Sequence, residues 1–368
     1  MKHLCIIYNF AQKYREAIYR EIDKAWECDW YFGSNDTDIE GFDLSVLKRA
    51  TLVNNTALIK PFYFQNNIIR LLVEKKYDTY LMLGEFNCIS TWIMLLIKPL
   101  IARNKKIFLW THGWYGREGK LKKILKRIFF RQADGIFLYG NYAKKLMIEE
   151  GFPEDRLFVI HNSLDYENQK ALRERLDSFS IYKDHFKNES PNLIFVGRLT
   201  PIKRIDMLLE AMKIMIDKNF YVNLTLIGDG SKAEELKSMT KRLGLEERVW
   251  FYGACYDDSK NASLIYNADL CVAPGNVGLT AMHTMAFGTP VLTHDNFPMQ
   301  MPEFEAIIEN RTGAFFKYGN VESLAEEISR WIEHHKSDRE SVREACYSEI
   351  ESAWNTKYQM NVLKDNLR

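Results

Sequence analysis

Nothing in this chain of 368 residues suggests a thiolate metal centre or a disulfide framework. Its six cysteines, Cys5, Cys28, Cys88, Cys255, Cys271 and Cys346, form no Cys-x-x-Cys pair. Cys5 and Cys271 lie in apolar runs, where cysteine serves as a small hydrophobe, and the pattern suits a reducing compartment. A charge excess is also missing. Fifty Lys and Arg oppose 49 Asp and Glu, for a net charge of +1. Bulk nucleic-acid binding needs a basic footprint that this balance does not supply, although a local basic patch remains open. The most apolar stretch, Ile89 to Ala102, contains Lys98 and Pro99 and falls short of the ~20 apolar residues of a membrane span. Leu4–Tyr8 is too short for a secretory signal, and polar Asn9, Gln12 and Lys13 follow it. No Gly-x-Gly-x-x-Gly follows a strand pattern, so a dinucleotide redox role lacks support. These absences predict a cytoplasmic protein, soluble or peripheral on the inner face of the membrane.

What is present is a core-forming chain, 46% hydrophobic and long enough for two domains. Apolar runs at Leu4–Tyr8, Thr79–Leu83, Lys106–Trp110, Gly135–Tyr139 and Leu157–Ile160 read as buried parallel strands. Helical spacing over Arg15–Ala25, Thr91–Arg103 and Tyr142–Glu150 alternates with them. A polar stretch, Tyr166 to Pro191, reads as a linker with a surface helix. The alternation then restarts, with strands at Asn192–Val196, Asn223–Ile227, Val249–Tyr252, Leu270–Ala273 and Pro290–Thr293. The expected fold is α/β, with parallel sheets covered by helices on both faces and ligands at the carboxyl edge of the strands. The expected domains are 1–185 and 186–350, followed by a C-terminal helical segment, 351–368.

The segment Phe195-Val-Gly-Arg-Leu-Thr-Pro-Ile-Lys-Arg204 is the most informative. Gly197 permits a tight turn after a strand. Arg198 and Lys203 then project from a loop, where a fork and a compact charge suit a diphosphate. A solvated basic loop is the competing reading. In Pro274-Gly-Asn-Val-Gly-Leu-Thr-Ala-Met-His283, Gly278 opens a helix, so the N–H groups of Gly278, Leu279 and Thr280 can face an anion. Met282, Met285 and Ala286 of the same helix read as core. In the first half, Trp110-Thr-His-Gly-Trp-Tyr-Gly116 follows a strand. Its His112 is either a ligand-facing imidazole or a satisfied core histidine. Leu83-Gly-Glu-Phe-Asn87 ends a strand at the same edge, which makes Glu85 and Asn87 acceptor-side candidates, together with Tyr14 and Arg15.

The residues 117–131 carry seven basic side chains and one acid. Leu121, Ile124, Leu125, Ile128 and Phe129 share one helical face. Such a helix either lies on anionic lipid or packs into the core with a basic solvent face. Asp36-Thr37-Asp38 could mimic a metal-binding Asp-x-Asp but sits among turn formers, and it reads as a surface loop. No metal and no cofactor are expected.

The second half resembles the retaining glycosyltransferase family 4. The resemblance is carried by Gly197-Arg-Leu with Lys203-Arg204, Leu226-Ile-Gly-Asp-Gly230, Val249-Trp-Phe-Tyr-Gly253, Ala268-Asp-Leu-Cys-Val-Ala-Pro274 and Arg311-Thr-Gly313, in that order. It implies a GT-B fold, with two Rossmann-like domains facing across a cleft and a nucleotide-sugar held mainly by the second. It implies that Gly197, Arg198, Lys203 and the helix start at Gly278, Leu279 and Thr280 meet the donor's phosphates. It further implies that His112 faces the donor sugar, and that the C-terminal helix crosses to the first domain with Trp354 as its anchor. The implied reaction moves a sugar, with retention, from a nucleotide diphosphate sugar to an acceptor hydroxyl. The expected acceptor is a lipid-linked or surface polysaccharide.

One departure stands out. The family pattern has two glutamates eight positions apart, and Gly275 and His283 occupy those positions here. His283 either hydrogen-bonds a ribose hydroxyl or is structural. Glu305 keeps the position of another family glutamate, eight residues before Gly313. Gln300 and Glu303 are near enough in sequence to replace the missing carboxylates, although acidic residues also favour a helix start. The lost glutamates keep two alternatives open: an inactive nucleotide-binding partner subunit of a glycosyltransferase complex, and a nucleotide-sugar epimerase of the same fold.

Overall fold

The computed structural model describes residues 3–35, 39–176 and 180–367. Contacts divide the chain into two compact units, Met1–Asp165 with Asn355–Arg368, and Tyr166–Trp354.

The first unit is built on parallel strands β1 (His3–Tyr8), β2 (Cys28–Gly33), β3 (Ala50–Val53), β6 (Tyr77–Leu83), β7 (Lys106–Thr111), β8 (Gly135–Leu138) and β9 (Leu157–Val159). A short antiparallel pair, β4 (Asn55–Ala57) and β5 (Tyr63–Gln65), lies outside that sheet. The sheet order is β3-β2-β1-β6-β7-β8-β9. The chain runs outward from β1 in both directions, so the carboxyl ends of β1 and β6 flank a topological switch point, where open α/β sheets bind ligands. Both sheet faces are covered, because the strands are apolar on both sides. One core gathers Cys5, Ile7, Tyr80, Met82, Leu109 and Phe129. The other gathers Ile6, Tyr8, Tyr19, Trp30, Phe32 and Trp110.

Strand β2 was not among the expected ones. Its Cys-Asp-Trp-Tyr-Phe-Gly sequence has no aliphatic run, and Asp29 interrupts it. That carboxylate is only 5% exposed. It is accommodated by His3 at 2.9 Å, Arg49 at 2.8 Å, and the side chains of Lys76 and Tyr77. Burial opposes its ionisation, but these donors prevail and hold its pKa well below the usual carboxylate range.

The second unit restarts the pattern with β10 (Asn192–Val196), β11 (Asn223–Ile227), β12 (Val249–Gly253), β13 (Leu270–Ala273), β14 (Val291–His294) and β15 (Gly313–Phe316). All neighbours are parallel, in the order β12-β11-β10-β13-β14-β15. Its switch point falls between β10 and β13, so Gly197-Arg198 and Pro274-Gly275 leave adjacent strands at one edge.

The boundary expected near residue 185 moves to Asp165. The supposed linker contains the helices Tyr166–Arg173 and Ile181–Phe186. The first belongs to the second unit because Tyr166 and Arg173 both donate to Glu351, and the Arg173 guanidinium lies 3.8 Å from the Tyr347 ring centre. The C-terminal helix is Thr356–Asn366 and belongs to the first unit. Its anchors there are Met360, Leu363 and Leu367. Trp354 stays in the second unit, with its indole N–H donating to Glu349 at 3.1 Å.

Leu363 is fully buried. Leu363→Ala is expected to cost about 2–5 kcal/mol of stability in denaturant unfolding. A loss below about 1 kcal/mol would show that the helix is not part of this core.

Candidate functional site

In the second unit, three loops meet at the ends of β10, β11 and β13, and they meet backbone to backbone. The Gly197 and Leu199 N–H groups donate to the Ile227 and Asp229 carbonyls, both at 2.9 Å. A Cβ on Gly228 would lie 2.0 Å from the Gly197 oxygen. The Gly275 N–H donates to the Lys203 carbonyl at 3.0 Å, and a Cβ on Gly275 would lie 1.9 Å from the Ile202 oxygen. No side chain fits at either position without moving backbone. At position 275 the space a side chain would take is filled by the 202–203 peptide.

This packing positions the cations. Lys203 is half-buried, and its Nζ donates to the Asn276 carbonyl at 2.7 Å and to Asn276 Oδ1 at 2.8 Å. Both oxygens are neutral. Burial pulls the Lys203 pKa down to about 8; the nearby Glu303 carboxylate opposes the shift and Arg198 adds to it. Arg198 is exposed. Gly278, at φ 56°, caps the Leu279–Ala286 helix, and a Cβ there would be 3.9 Å from Lys203 Nζ. The helix start and the ammonium are thus neighbours. Thr280 ties this helix to β10 by donating from Oγ1 to the Val196 carbonyl at 2.9 Å. The structure brings together Gly197, Arg198, Lys203, Gly278, Leu279 and Thr280. The N–H groups of a helix start beside two cations make a cradle suited to an anion with several oxygens.

The neighbouring polar residues differ in role. Gln300 is not available to replace a lost carboxylate. Its Oε1 accepts from the Val277 N–H at 2.9 Å, and its Nε2 donates to Thr293 Oγ1 and the His294 carbonyl at 2.8 and 3.1 Å. It fixes the loop before Gly278. Glu303 is buried near Lys203, while Glu305 is half-buried in the same 3-10 turn, Pro302–Ala306. His283 sits in the middle of the helix. Burial pulls its pKa down, and its Nε2 is buried without a hydrogen-bond partner.

In the first unit, a cavity of about 390 Å³ lies at the carboxyl edge beside the switch point. Tyr14, Arg15, Glu85, Asn87 and His112 all line it. Glu85 Oε2 accepts from the Tyr63 hydroxyl at 2.8 Å and the Asn9 amide at 3.3 Å, and burial raises its pKa. The Asn87 carbonyl accepts from the Tyr63 N–H at 3.2 Å. Burial, with Arg15 and Lys126 nearby, pulls the His112 pKa down to about 4, so its imidazole is neutral at pH 7. Its ring centre is 4.6 Å from that of Tyr139, and its Nδ1 has no partner. Asn9 and Tyr63 had no motif to mark them. Asn9 directly follows β1, and that position was the one available signal.

The basic segment forms the helix Lys120–Arg131, and its packing is the reverse of a core-facing amphipath. Of the apolar stripe, only Phe129 is buried. Leu121 is 72% exposed, Ile124 54%, Ile128 43% and Leu125 38%. Lys126 turns inward instead, donating to the Gly113 carbonyl at 2.6 Å and to Glu118 at 2.7 Å. Asp36 to Asp38 lie outside the described residues.

Two doubly wound α/β units, each with a loop-built site at its switch point, define a GT-B protein. The fold matches solved glycosyltransferases along their whole length. The lipopolysaccharide outer core galactosyltransferase WaaB is 16% identical, with a TM-score of 0.73 over 99% of this chain and 100% of that one. HepE of Anabaena in complex with UDP is 17% identical, with a TM-score of 0.71 over 99% of both chains. The α-monoglucosyldiacylglycerol synthase of Streptococcus pneumoniae is 23% identical over 321 residues, 81% of this chain and 70% of that protein. Residues 178–348 match the Glycosyl transferases group 1 model.

Because Gly275 has no room for a side chain, Gly275→Ala is expected to destabilise by about 2 kcal/mol or more, by the usual cost of overpacking. Gly275→Glu should lower the melting temperature further. A Gly275→Glu protein as stable as the parent would refute the steric account.

Proposed function

We propose that the protein transfers a sugar from a nucleotide diphosphate sugar to an acceptor hydroxyl, with retention of anomeric configuration. One observation carries this reading. Lys203 is held half-buried by neutral oxygens, beside the helix start at Gly278 and close to Arg198. An anion placed there would meet two cations and the N–H groups of Gly278, Leu279 and Thr280. The diphosphate of a nucleotide-sugar has the charge and oxygen count for that cradle.

In the reaction, the bond from the sugar's anomeric carbon to the diphosphate oxygen breaks, and the electron pair leaves with the phosphate. Arg198, Lys203 and the helix start stabilise the charge that develops on it. The acceptor hydroxyl attacks from the same face, and its proton passes to the leaving phosphate. Catalysis then rests on positioning and charge stabilisation rather than on a side-chain base. The neutral His112 is assigned a hydrogen bond to a sugar hydroxyl. His283, with its unpartnered Nε2, is assigned one to a ribose hydroxyl, and Glu305 a contact to the donor. That HepE, which shares this fold, was solved in complex with UDP supports a nucleoside diphosphate donor.

A lipid-linked or surface polysaccharide acceptor is the reading that best explains the Lys120–Arg131 helix. Four exposed apolar side chains flanked by exposed Lys120 and Lys122 suit the interface of an anionic membrane.

Donor hydrolysis assayed over a panel of nucleotide-sugars tests the first reading. Arg198→Ala is expected to lower turnover at least tenfold, and unchanged turnover would remove Arg198 from the site. With the Lys203 pKa near 8 in the free protein, the ammonium is charged at pH 7 and loses its proton as the pH rises through 8. Calorimetric affinity for UDP should therefore fall between pH 7 and 9.5; a flat profile would count against Lys203 as a phosphate ligand. For the membrane contact, the double variant Leu121→Glu/Ile124→Glu should lose at least tenfold in sedimentation with anionic phospholipid vesicles. Equal binding by parent and variant would exclude this face.

A further inference from the structure

Among the described residues Arg15 is the buried guanidinium at the edge of the first unit's sheet, and the donor chemistry described above gives it no task. It is 5% exposed. Rings surround it instead of carboxylates. Its guanidinium carbon lies 5.1 Å from the ring centres of both Trp110 and Tyr139, and 5.6 Å from that of Tyr8. Nη2 donates to the Tyr139 hydroxyl and the Tyr14 and Tyr19 side chains also lie beside the guanidinium, while Nη1 is buried with no hydrogen-bond partner. Aromatic faces and a phenol oxygen compensate part of a buried positive charge, but an unmatched N–H of a guanidinium is costly where water is excluded.

The rest of the wall does not supply the missing counter-charge. Arg15, Lys122 and Lys126 line the cavity, and Glu85 is its one acid among the described residues. Glu85 is committed to Tyr63 and Asn9. Lys126 is already matched by Glu118, whereas Lys122 is exposed. His112 is neutral. The cavity therefore presents an excess of positive charge around a volume of about 390 Å³, within the range of small-ligand sites. Asn9, Asn87 and Glu85 add groups suited to hydroxyls.

We propose that the acceptor carries an anionic group, a phosphate ester or a uronate carboxylate, and that this group seats on Arg15 in the first unit's cavity. The proposal rests on the sugar-transfer reading, which assigns the donor's own diphosphate to Arg198 and Lys203 in the second unit. Arg15 then sets which acceptors are accepted. A guanidinium offers two parallel donors to either anion, which a neutral acceptor cannot use.

The test uses the full chain labelled with 15N-arginine. Its side-chain resonances are followed while methyl phosphate, or separately glucuronate, is added with UDP present in excess. The Arg15 signal is assigned by its absence in Arg15→Lys. The expected result is a saturable shift of that signal by at least one of the two anions, with methyl glucoside producing none. A response to methyl phosphate alone assigns a phosphate ester, and a response to glucuronate alone assigns a uronate. Calorimetry of the same anion should show at least tenfold weaker binding to Arg15→Lys, because the fork geometry is lost. If Arg15→Lys does not fold, Arg15→Gln serves for assignment, and the titration of the parent remains decisive. An Arg15 signal that no anion moves overturns the proposal. UDP binding in that same sample would leave the donor assignment standing, so the two failures are distinguishable.

Discussion

The second unit depends on two loops touching through their backbones. The 202–203 peptide lies where a side chain on Gly275 would otherwise be, and the Gly275 N–H closes on the Lys203 carbonyl. Given that contact, Lys203 donates to the two Asn276 oxygens, and its ammonium settles beside the Gly278 helix start. Gln300 then locks Val277 from the other side. A hydrogen-bond network in which every member is satisfied is rigid, and rigidity is what a charge-stabilising site needs. The geometry that gathers the cations is the same one that excludes a glutamate from position 275.

Both units place a cation under-compensated at the switch point of a parallel sheet. Lys203 in the second unit is held by neutral oxygens, and Arg15 in the first is held by rings and a phenol. Doubly wound sheets make this arrangement natural, since strand ends diverge there and leave a crevice lined by loops. The two cations differ in chemistry. Burial brings Lys203 close to losing its proton, whereas a guanidinium keeps its charge when buried. The first therefore responds to pH near neutrality and the second does not.

The strands that carry sites were readable because parallel strands are short apolar runs with loops at fixed places after them. Residues 4–8, 79–83, 192–196 and 270–273 are of that kind, so Arg15, Glu85, Arg198 and Gly278 could be placed at sheet edges from sequence alone. Strand β2 was not readable, since its Asp29 is compensated by His3, Arg49, Lys76 and Tyr77 from distant segments. The domain boundary was missed for a related reason. Residues 166–176 are polar enough to be a linker, yet Tyr166 and Arg173 find Glu351, almost two hundred residues on.

The helix Lys120–Arg131 draws the line most sharply. Periodicity determined that it is a helix with an apolar stripe, because 3.6-residue spacing is a property of the segment itself. Which face turns inward was decided by tertiary structure, where Glu118 and the Gly113 carbonyl draw Lys126 into the protein and leave Leu121 and Ile124 outside. The same division holds across the molecule. Sequence alone determined the α/β alternation and the placing of Gly197-Arg198 and Gly278 just after strands, since these are local or linear properties. Only the tertiary structure decided that Gly275 has no room, that Gln300 is already occupied and that Arg15 lacks a counter-charge. Each of those depends on atoms brought close by the fold from far along the chain.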